Sequence, residues 1–208
     1  MTPAKRAMDL GLALLMLALA APVILLISLA ILWQDGRPVF YRSERMQSPA
    51  RGFTLLKFRT MAVDPTRNGV TGGDKARAIT PLGARLRRAG LDELPQLWNV
   101  IRGDISLVGP RPPLRLYVEA EPALYAEVLA CRPGLTGLAT LHFHRHEALL
   151  LESCASAEQT HDVYLRRCVP RKARIDLIYR RNRTVCLDIA ILLQTFWAIL
   201  PRFRRRRG

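Results

Sequence analysis

Three features of the 208-residue sequence predict a mainly α-helical (α+β) protein with a few short strands, attached to a membrane. Residues 10–32 form an uncharged apolar run. Capping and helix-breaking residues divide most of the remaining chain into short helices, and only two stretches have the composition of strands. The formal net charge of +15 indicates an anionic partner, such as nucleic acid, an anionic membrane face or a phosphate-bearing substrate.

The apolar run is long enough to enter or cross a membrane. As a straight helix, residues 10–32 would reach about 35 Å, against a hydrocarbon core of about 30 Å. A cleaved signal peptide is the alternative, but the run is too long and no clear small-residue cleavage site follows it. Pro22 removes the helical donor to the carbonyl of Ala18 and favours a kink. Basic residues flank both ends, so the positive-inside rule selects no orientation, and a span and a kinked hairpin both stay open.

The chain is expected to have three parts: a membrane segment at 1–36, a compact domain at 37–183 and an interfacial helix with a basic tail at 184–208. In the middle part, local patterns predict strands at 38–42 and 52–61, a loop at 62–79, helices at 81–89 and 93–102, an extended segment at 103–113, a helix within 114–130 interrupted near Pro122, a turn-rich loop at 132–138 and a helix at 170–182.

The last part has the composition of a helix that lies in a membrane interface. Its apolar stretch at 184–200 is interrupted by Asp188, Gln194 and Thr195, and Trp197 precedes a run of arginines. Arginines of this kind favour anionic headgroups. A buried core helix is the alternative.

A pair of adjacent carboxylates, Asp92 and Glu93, is the strongest candidate for chemistry. A capping aspartate after Gly90 is the ordinary explanation, and a helix N-terminus would hold Asp92 ionised and attract phosphate. The nearby arginines exceed what capping requires and suit a bidentate grip on phosphates. A carboxylate beside a bound phosphate can act as a nucleophile, and a second carboxylate can help to hold a divalent metal.

The chain resembles the bacterial sugar transferases, the monotopic phosphoglycosyl transferases that start glycan assembly on a polyprenyl phosphate carrier. The resemblance rests on "FTLLKFRTM", "TPLGARLRRAGLDELPQLWNVIRGDISLVGPRP", "RPGLTGLATL" and "DLIYRRNRTVCLDIAILLQT", and covers nearly the whole chain. It implies transfer of a sugar 1-phosphate from a UDP-sugar to polyprenyl (undecaprenyl) phosphate, with release of UMP and a need for Mg²⁺.

The resemblance also implies a location. The first helix is expected to be a re-entrant hairpin broken at Ala21-Pro22, where the family often has Ser-Pro. The enzyme would lie in the bacterial inner membrane, in contact with membrane lipids, with its catalytic domain facing the cytoplasm. A homodimer stays open.

The resemblance assigns roles to individual residues. Asp92 is the expected nucleophile, which forms a phosphosugar–enzyme intermediate, and Glu93 supports the chemistry and, with Asp92, the metal. The expected phosphate-binding residues are Arg88, Arg111, Lys57, Arg59 and Arg145, and the expected nucleotide- and sugar-binding loop contains Pro110, Pro133, Gly134 and Thr136. The sequence does not indicate which sugar is used; its specificity is expected in loops at 62–79 and 141–150.

Several alternatives compete with this function. On a strand, His142, His144 and His146 would share one face, which suggests a metal site, although they can equally contact sugar or phosphate. The four cysteines are widely spaced and indicate neither a disulfide scaffold nor a zinc site. No nucleic acid is expected, because the basic residues lack the interleaved aromatics that stack bases. A lipid phosphotransferase with several spans would need more apolar segments, and a non-catalytic scaffold would not need both carboxylates and Arg111.

Overall fold

The computed structural model describes residues 1–62, 78–154 and 156–204. Most of these residues are helical and few are in strands, which confirms the predicted α+β class. In chain order the elements are α1 (Pro3–Gln34), β1 (Phe40–Ser48), β2 (Arg51–Phe58), α2 (Pro81–Ala89), a 3₁₀ turn (Leu91–Glu93), α3 (Gln96–Arg102), β3 (Ser106–Val108), α4 (Arg115–Ala120), α5 (Pro122–Val128), β4 (Gly134–Thr136), α6 (Leu138–Glu152), α7 (Ala157–Val163), a π-helical turn (Tyr164–Cys168), α8 (Val169–Asn182) and α9 (Val185–Arg204).

Helix α1 is continuous, so the break predicted at Ala21-Pro22 is not seen. A proline inside a helix costs about 3 kcal/mol, and the long apolar helix forms despite that cost. Among the described residues, α1 alone is long and apolar enough to cross a membrane, by length and composition. Its placement in a membrane stays a prediction.

Both ends of α1 pack on the same globular body. Near its start, Ala13 belongs to the main apolar core, which includes Leu97. Near its end, Ile27 and Ile31 pack with Phe58 and other apolar side chains. The first helix therefore shares its core with the domain that follows it.

Polar contacts fasten the same two ends. The Arg6 guanidinium donates to the carbonyls of Val100 and Ile101, both at 2.7 Å, and so closes the C-terminal turn of α3. The buried Asp9 carboxylate accepts from the Ser106 hydroxyl at 2.7 Å. Between these ends, much of the helix surface is exposed and apolar, from Leu14 to Trp33.

The strands form two small sheets. β1 and β2 make an antiparallel hairpin with Phe40 opposite Phe58, and β3 pairs in parallel with β4. The prediction of a loop throughout 132–138 is therefore wrong at β4, because its pairing partner lies far away in the sequence. The two segments approach so closely that a Cβ atom on Gly134 would collide with the backbone of Gly109.

Two predicted loops have different outcomes. Most of the loop predicted at 62–79 lies outside the described residues. The loop predicted at 141–150 is wrong, because these residues lie within α6. The three histidines are therefore not on a strand, and no group of three His, Cys, Asp or Glu side chains is placed to hold a metal in the described part of the chain.

Helix α9 is buried on one side only. Asp188 and Ile191 are buried, whereas Ile189, Phe196 and Trp197 are exposed. The alternative of a fully buried core helix is therefore wrong. Contact of its exposed side with a membrane stays a prediction.

Candidate active site

The acid pair lies on a short turn between two helices. Helix α2 starts at the Thr80 cap, whose hydroxyl accepts from the Gly83 N–H at 3.0 Å, and ends at Gly90 in a left-handed conformation (φ +68°). Asp92 and Glu93 follow at once in the 3₁₀ turn. Helix α3 begins at Gln96, so the predicted helix at 93–102 starts three residues too early and Asp92 does not cap it.

Asn99 fixes this turn against strand β2. Its side-chain oxygen accepts from the Leu56 N–H at 3.0 Å, and its amide nitrogen donates to the Thr54 carbonyl at 2.8 Å and to Asp104 Oδ2 at 2.9 Å. The residue is fully buried. These bonds hold α3 beside the strand that carries Lys57, and so bring Lys57 to the acid pair.

Glu93 is held by two cations. Its Oε1 accepts from Lys57 Nζ at 2.6 Å and from Arg111 Nη2 at 2.9 Å. Burial alone would raise the pKa of Glu93, but Arg111 and Lys57 outweigh it and lower that pKa to about 2. Burial lowers the pKa of Lys57, and the Glu93 carboxylate opposes that shift. Glu93 is therefore ionised at neutral pH.

Asp92 has the opposite shift. Burial raises the pKa of its carboxyl above the usual value and the Glu93 charge adds to this, while Lys57 and Arg87 act against it. The carboxylate accepts from its own backbone N–H. The backbone amide lowers the pKa of Asp92, as expected, but burial outweighs that bond, so the net shift of the pKa is upward. The pair therefore combines one firmly held carboxylate with one more basic neighbour.

Three of the predicted phosphate-binding residues make no described bond to the acid pair. Arg59 is buried, and its guanidinium donates to the carbonyls of Asp35, Gly36 and Arg37, where α1 ends. Arg88 is exposed and donates to the Ala84 carbonyl of its own helix. Arg145 is exposed on α6. Of the five, Lys57 and Arg111 are the two that the described contacts join to the acid pair.

Arg87 is the residue of the basic helix whose charge reaches Asp92. Its Nε donates to the Thr60 hydroxyl at 2.8 Å, which directs the side chain toward the end of β2. Sequence reasoning grouped it with its neighbours and selected Arg88 instead. Both arginines lie in the last turn of α2, so the sequence pattern alone does not separate them.

The predicted nucleotide-binding loop is mainly a scaffold for Arg111. Pro110, Pro133, Gly134 and Thr136 are all buried. The Gly134 N–H donates to the Pro110 carbonyl at 2.8 Å, and the Gly109 N–H donates to the Thr136 carbonyl at 2.9 Å. These backbone bonds fix the chain immediately before Arg111.

A cavity borders Arg111, which forms part of its wall. We call it the side cavity; its polar lining comes from Arg45, Tyr117, Glu147, Tyr164, Lys172 and Asp176. Sequence reasoning missed it, because these residues belong to no contiguous motif and come from five separate segments.

The acid pair has ligand chemistry that suits Mg²⁺. This ion prefers oxygen ligands and is commonly held by one or two carboxylates together with substrate phosphates. Asp92 and Glu93 supply two carboxylates that are close enough to repel each other, as their pKa interaction shows. Glu93 Oε1 is already bonded to Lys57 and Arg111, so its Oε2 and the Asp92 carboxylate are the oxygens that could hold the ion.

Comparisons with known proteins show which family the chain resembles. The family model "Bacterial sugar transferase" matches residues 1–202. The "Uncharacterized sugar transferase EpsL" of Bacillus subtilis is 38% identical over 196 residues, 94% of this chain and 87% of its own length. The "UDP-glucose:undecaprenyl-phosphate glucose-1-phosphate transferase" of Caulobacter vibrioides is 43% identical over 144 residues, 65% of this chain and 52% of its own length.

A protein of the same name from Escherichia coli is 33% identical over 195 residues, 92% of this chain and 39% of its own length. The chain spans about half the length, or less, of these two named transferases. The match over residues 1–202 includes the acid pair, Lys57 and Arg111. The chain therefore belongs to the bacterial sugar transferase family.

Proposed function

We propose that this chain transfers a sugar 1-phosphate from a UDP-sugar to undecaprenyl phosphate and releases UMP. The reaction would be the first membrane step of polysaccharide or glycoconjugate assembly, at the cytoplasmic face of the bacterial inner membrane. The names of two relatives support the substrates, since both are described as transferring glucose 1-phosphate from UDP-glucose to undecaprenyl phosphate.

The observation that carries the proposal is that the two carboxylates differ in their bonding and in the direction of their pKa shifts. Glu93 is bonded to Lys57 and Arg111 and has its pKa lowered to about 2, whereas the pKa of Asp92 is raised. A more basic carboxylate is a better nucleophile, and adjacent cations draw the donor phosphates toward it. Glu93 holds Lys57 and Arg111 in place, so the Asp92 carboxylate is not needed for that role.

The proposed chemistry has two displacement steps. An Asp92 carboxylate oxygen attacks the phosphorus that carries the sugar, and the bond from that phosphorus to UMP breaks, with its electron pair leaving on UMP. An oxygen of undecaprenyl phosphate then attacks the same phosphorus, and Asp92 leaves as the carboxylate. Lys57, Arg87 and Arg111 reduce the repulsion between the anionic partners in both steps.

Mg²⁺ is part of the proposal, with Asp92 and Glu93 as the protein residues that would hold it. When bound, the ion would neutralise phosphate charge that the cations leave uncompensated.

The packing of α1 supports a monotopic arrangement. Lys5 and Asp9 at one end, and Asp35 at the other, all bond to the same domain. A helix that ran straight across a bilayer would place these ends on opposite sides. The exposed apolar surface between the ends, and that of α9, suit lipid contact.

Cysteine labelling in spheroplasts tests the topology. In a cysteine-free background, single cysteines placed near residue 3 and near residue 42 should both resist a membrane-impermeant reagent added from the periplasm. Both should react after lysis. Periplasmic labelling near residue 3 would contradict the arrangement.

Product analysis tests the reaction itself. With UDP-sugar and undecaprenyl phosphate, the purified chain should release UMP with ping-pong kinetics. Release of UDP would indicate direct glycosyl transfer, and the absence of any product would favour a non-catalytic relative.

A further inference from the structure

We propose that the side cavity binds the sugar of the nucleotide donor, and that Lys172 and Glu147 select it through its hydroxyl groups. This inference rests on the proposed function and names the part of the site that would decide which sugar is used. The location of the side cavity is the first observation that supports this inference. Arg111 lines the cavity and also bonds Glu93, so a sugar inside would have its phosphate next to Arg111 and the acid pair.

Lys172 and Glu147 converge inside the cavity. Lys172 Nζ donates to Glu147 Oε2 at 3.0 Å and to the Tyr164 hydroxyl at 3.2 Å. Both side chains are mostly buried, at 13% and 25% exposure. Sugar hydroxyls donate and accept at once, so a cation, a carboxylate and a phenol side by side form a suitable binding surface.

Two further groups on the wall have unused or adjustable bonding capacity. Arg45 Nε is buried and has no hydrogen-bond partner among the residues that the structure describes. Asp176 is buried, and burial raises its pKa to about 7, against the effects of Lys172 and the Ala139 N–H. A carboxyl of this kind can donate as well as accept near neutral pH, which again suits hydroxyl groups.

The aromatic residues favour a sugar over the nucleotide base. The ring of Tyr117 packs against His161 at 5.6 Å and against Tyr164 at 4.7 Å between centroids. Lys172 Nζ lies 5.2 Å from the centroid of Tyr164. Because these rings are already packed against protein groups, they offer little surface for stacking a flat base.

Binding measurements can separate the two halves of the donor. The full chain carrying Asp92→Asn would be used, so that binding is recorded without turnover. UDP-glucose, UDP-N-acetylgalactosamine and UMP would be titrated by calorimetry, in that background and in combination with Lys172→Met. We expect Lys172→Met to weaken binding of the better UDP-sugar at least about tenfold, because a charged hydrogen bond is lost, and to change UMP binding less than about twofold.

Two milder variants protect the test against a folding defect. Glu147→Gln keeps the size of the side chain and Tyr164→Phe removes only a hydroxyl; both should change the ratio of affinities for the two UDP-sugars and leave UMP binding unchanged. Arg180→Met is the matched control. It lies on the same helix α8, its only described ion pair is the 3.7 Å contact with Glu127, and it should alter neither ligand. Thermal unfolding would identify any variant that does not fold.

The outcomes are distinct. Parallel loss of UMP and UDP-sugar binding would assign the cavity to the nucleotide and overturn the proposal, and so would unchanged binding of both ligands in all three cavity variants. Release of UMP by the wild-type chain tests the proposed function separately. A chain that releases UMP, but whose cavity variants bind UDP-sugar normally, would contradict the sugar site alone.

Discussion

Two lysine–carboxylate pairs, Lys57–Glu93 and Lys5–Asp188, have the same 2.6 Å separation but different surroundings. Asp188 is 1% exposed, and its other oxygen accepts from the Tyr179 hydroxyl at 2.7 Å. Lys5 Nζ also donates to the Val108 carbonyl at 3.1 Å. This pair joins α1, β3, α8 and α9, and protein groups occupy both carboxylate oxygens.

The Lys57–Glu93 pair is more open. Glu93 is 27% exposed and shares its oxygen with Arg111, which is 39% exposed. Asp92 beside it has a raised pKa, and the charge of Arg87 is close by. The comparison shows that the N–O distance of an ion pair does not distinguish a structural pair from a reactive one. What distinguishes them is the hydrogen-bonding capacity that the fold leaves unused.

The largest expected effect is on the stability of the closed pair. Asp188→Ala leaves a mostly buried Lys5 without its partner, which should cost about 3 to 5 kcal/mol of unfolding free energy. Denaturant unfolding in detergent would measure it. Asp162→Ala is the control, because its ion pair with Arg166, which joins α7 to the π-helical turn, is exposed and should contribute only about 0.3 to 0.5 kcal/mol. Equal losses in the two variants would break the comparison.

Glu93→Gln should act mainly on activity. It removes the charge that positions Lys57 and Arg111, and it replaces a proposed carboxylate ligand of Mg²⁺ with a neutral amide. We expect turnover to fall roughly 10- to 100-fold, with weaker dependence on Mg²⁺ and the same attachment point for the phosphosugar. Its loss of stability should be smaller than that of Asp188→Ala. A rate near that of the wild type would show that the open pair is structural after all.

Arg111→Lys keeps the charge but loses the planar fork. The rate should fall at least about tenfold, which corresponds to about 1.4 kcal/mol in the barrier. Arg115→Lys is the matched control, since Arg115 is exposed and bonds only Glu44 among the described residues. Unchanged turnover of Arg111→Lys at saturating donor would mean that Arg111 only shapes its loop.

The smallest effect concerns pH. Asp92 must be ionised to attack, so adduct formation should slow as the pH falls toward its raised pKa. Glu93 does not cause this decline. Its pKa is lowered from 4.5 to about 2, so its stabilising contribution is complete above pH 4.5 and is lost between 4.5 and 2. Glu93→Gln removes a charge that raises the Asp92 pKa, and the acid limb should move to lower pH. A shift to higher pH would contradict the assignment.

The parts of the molecule that the sequence predicted well depend on local signals. Thr80, Pro81 and Gly90 predicted both ends of α2, and Pro122 predicted the interruption between α4 and α5. The motif around Asp92 and Arg111 led to the site, where both residues are found.

The parts that were missed depend on contacts between distant segments. In the sequence, Asn99 is an ordinary helix residue, and its role appears only in its hydrogen bond to β2. Asp188 interrupts an apolar helix, and its role appears only in its ion pair with Lys5. The side cavity and strand β4 also form only when segments that are distant in the sequence come together. Desolvation, which reverses the expected pKa shift of Asp92, also exists only in the folded protein.

The mass of the intact protein after incubation with UDP-sugar alone tests the central claim most directly. The wild-type chain should gain one phosphosugar, located on Asp92 by peptide mapping, before any lipid acceptor is added. Asp92→Asn should remain folded, as judged by thermal unfolding, and should show neither the adduct nor turnover. An adduct on another residue, or near-normal turnover by folded Asp92→Asn, would contradict the account.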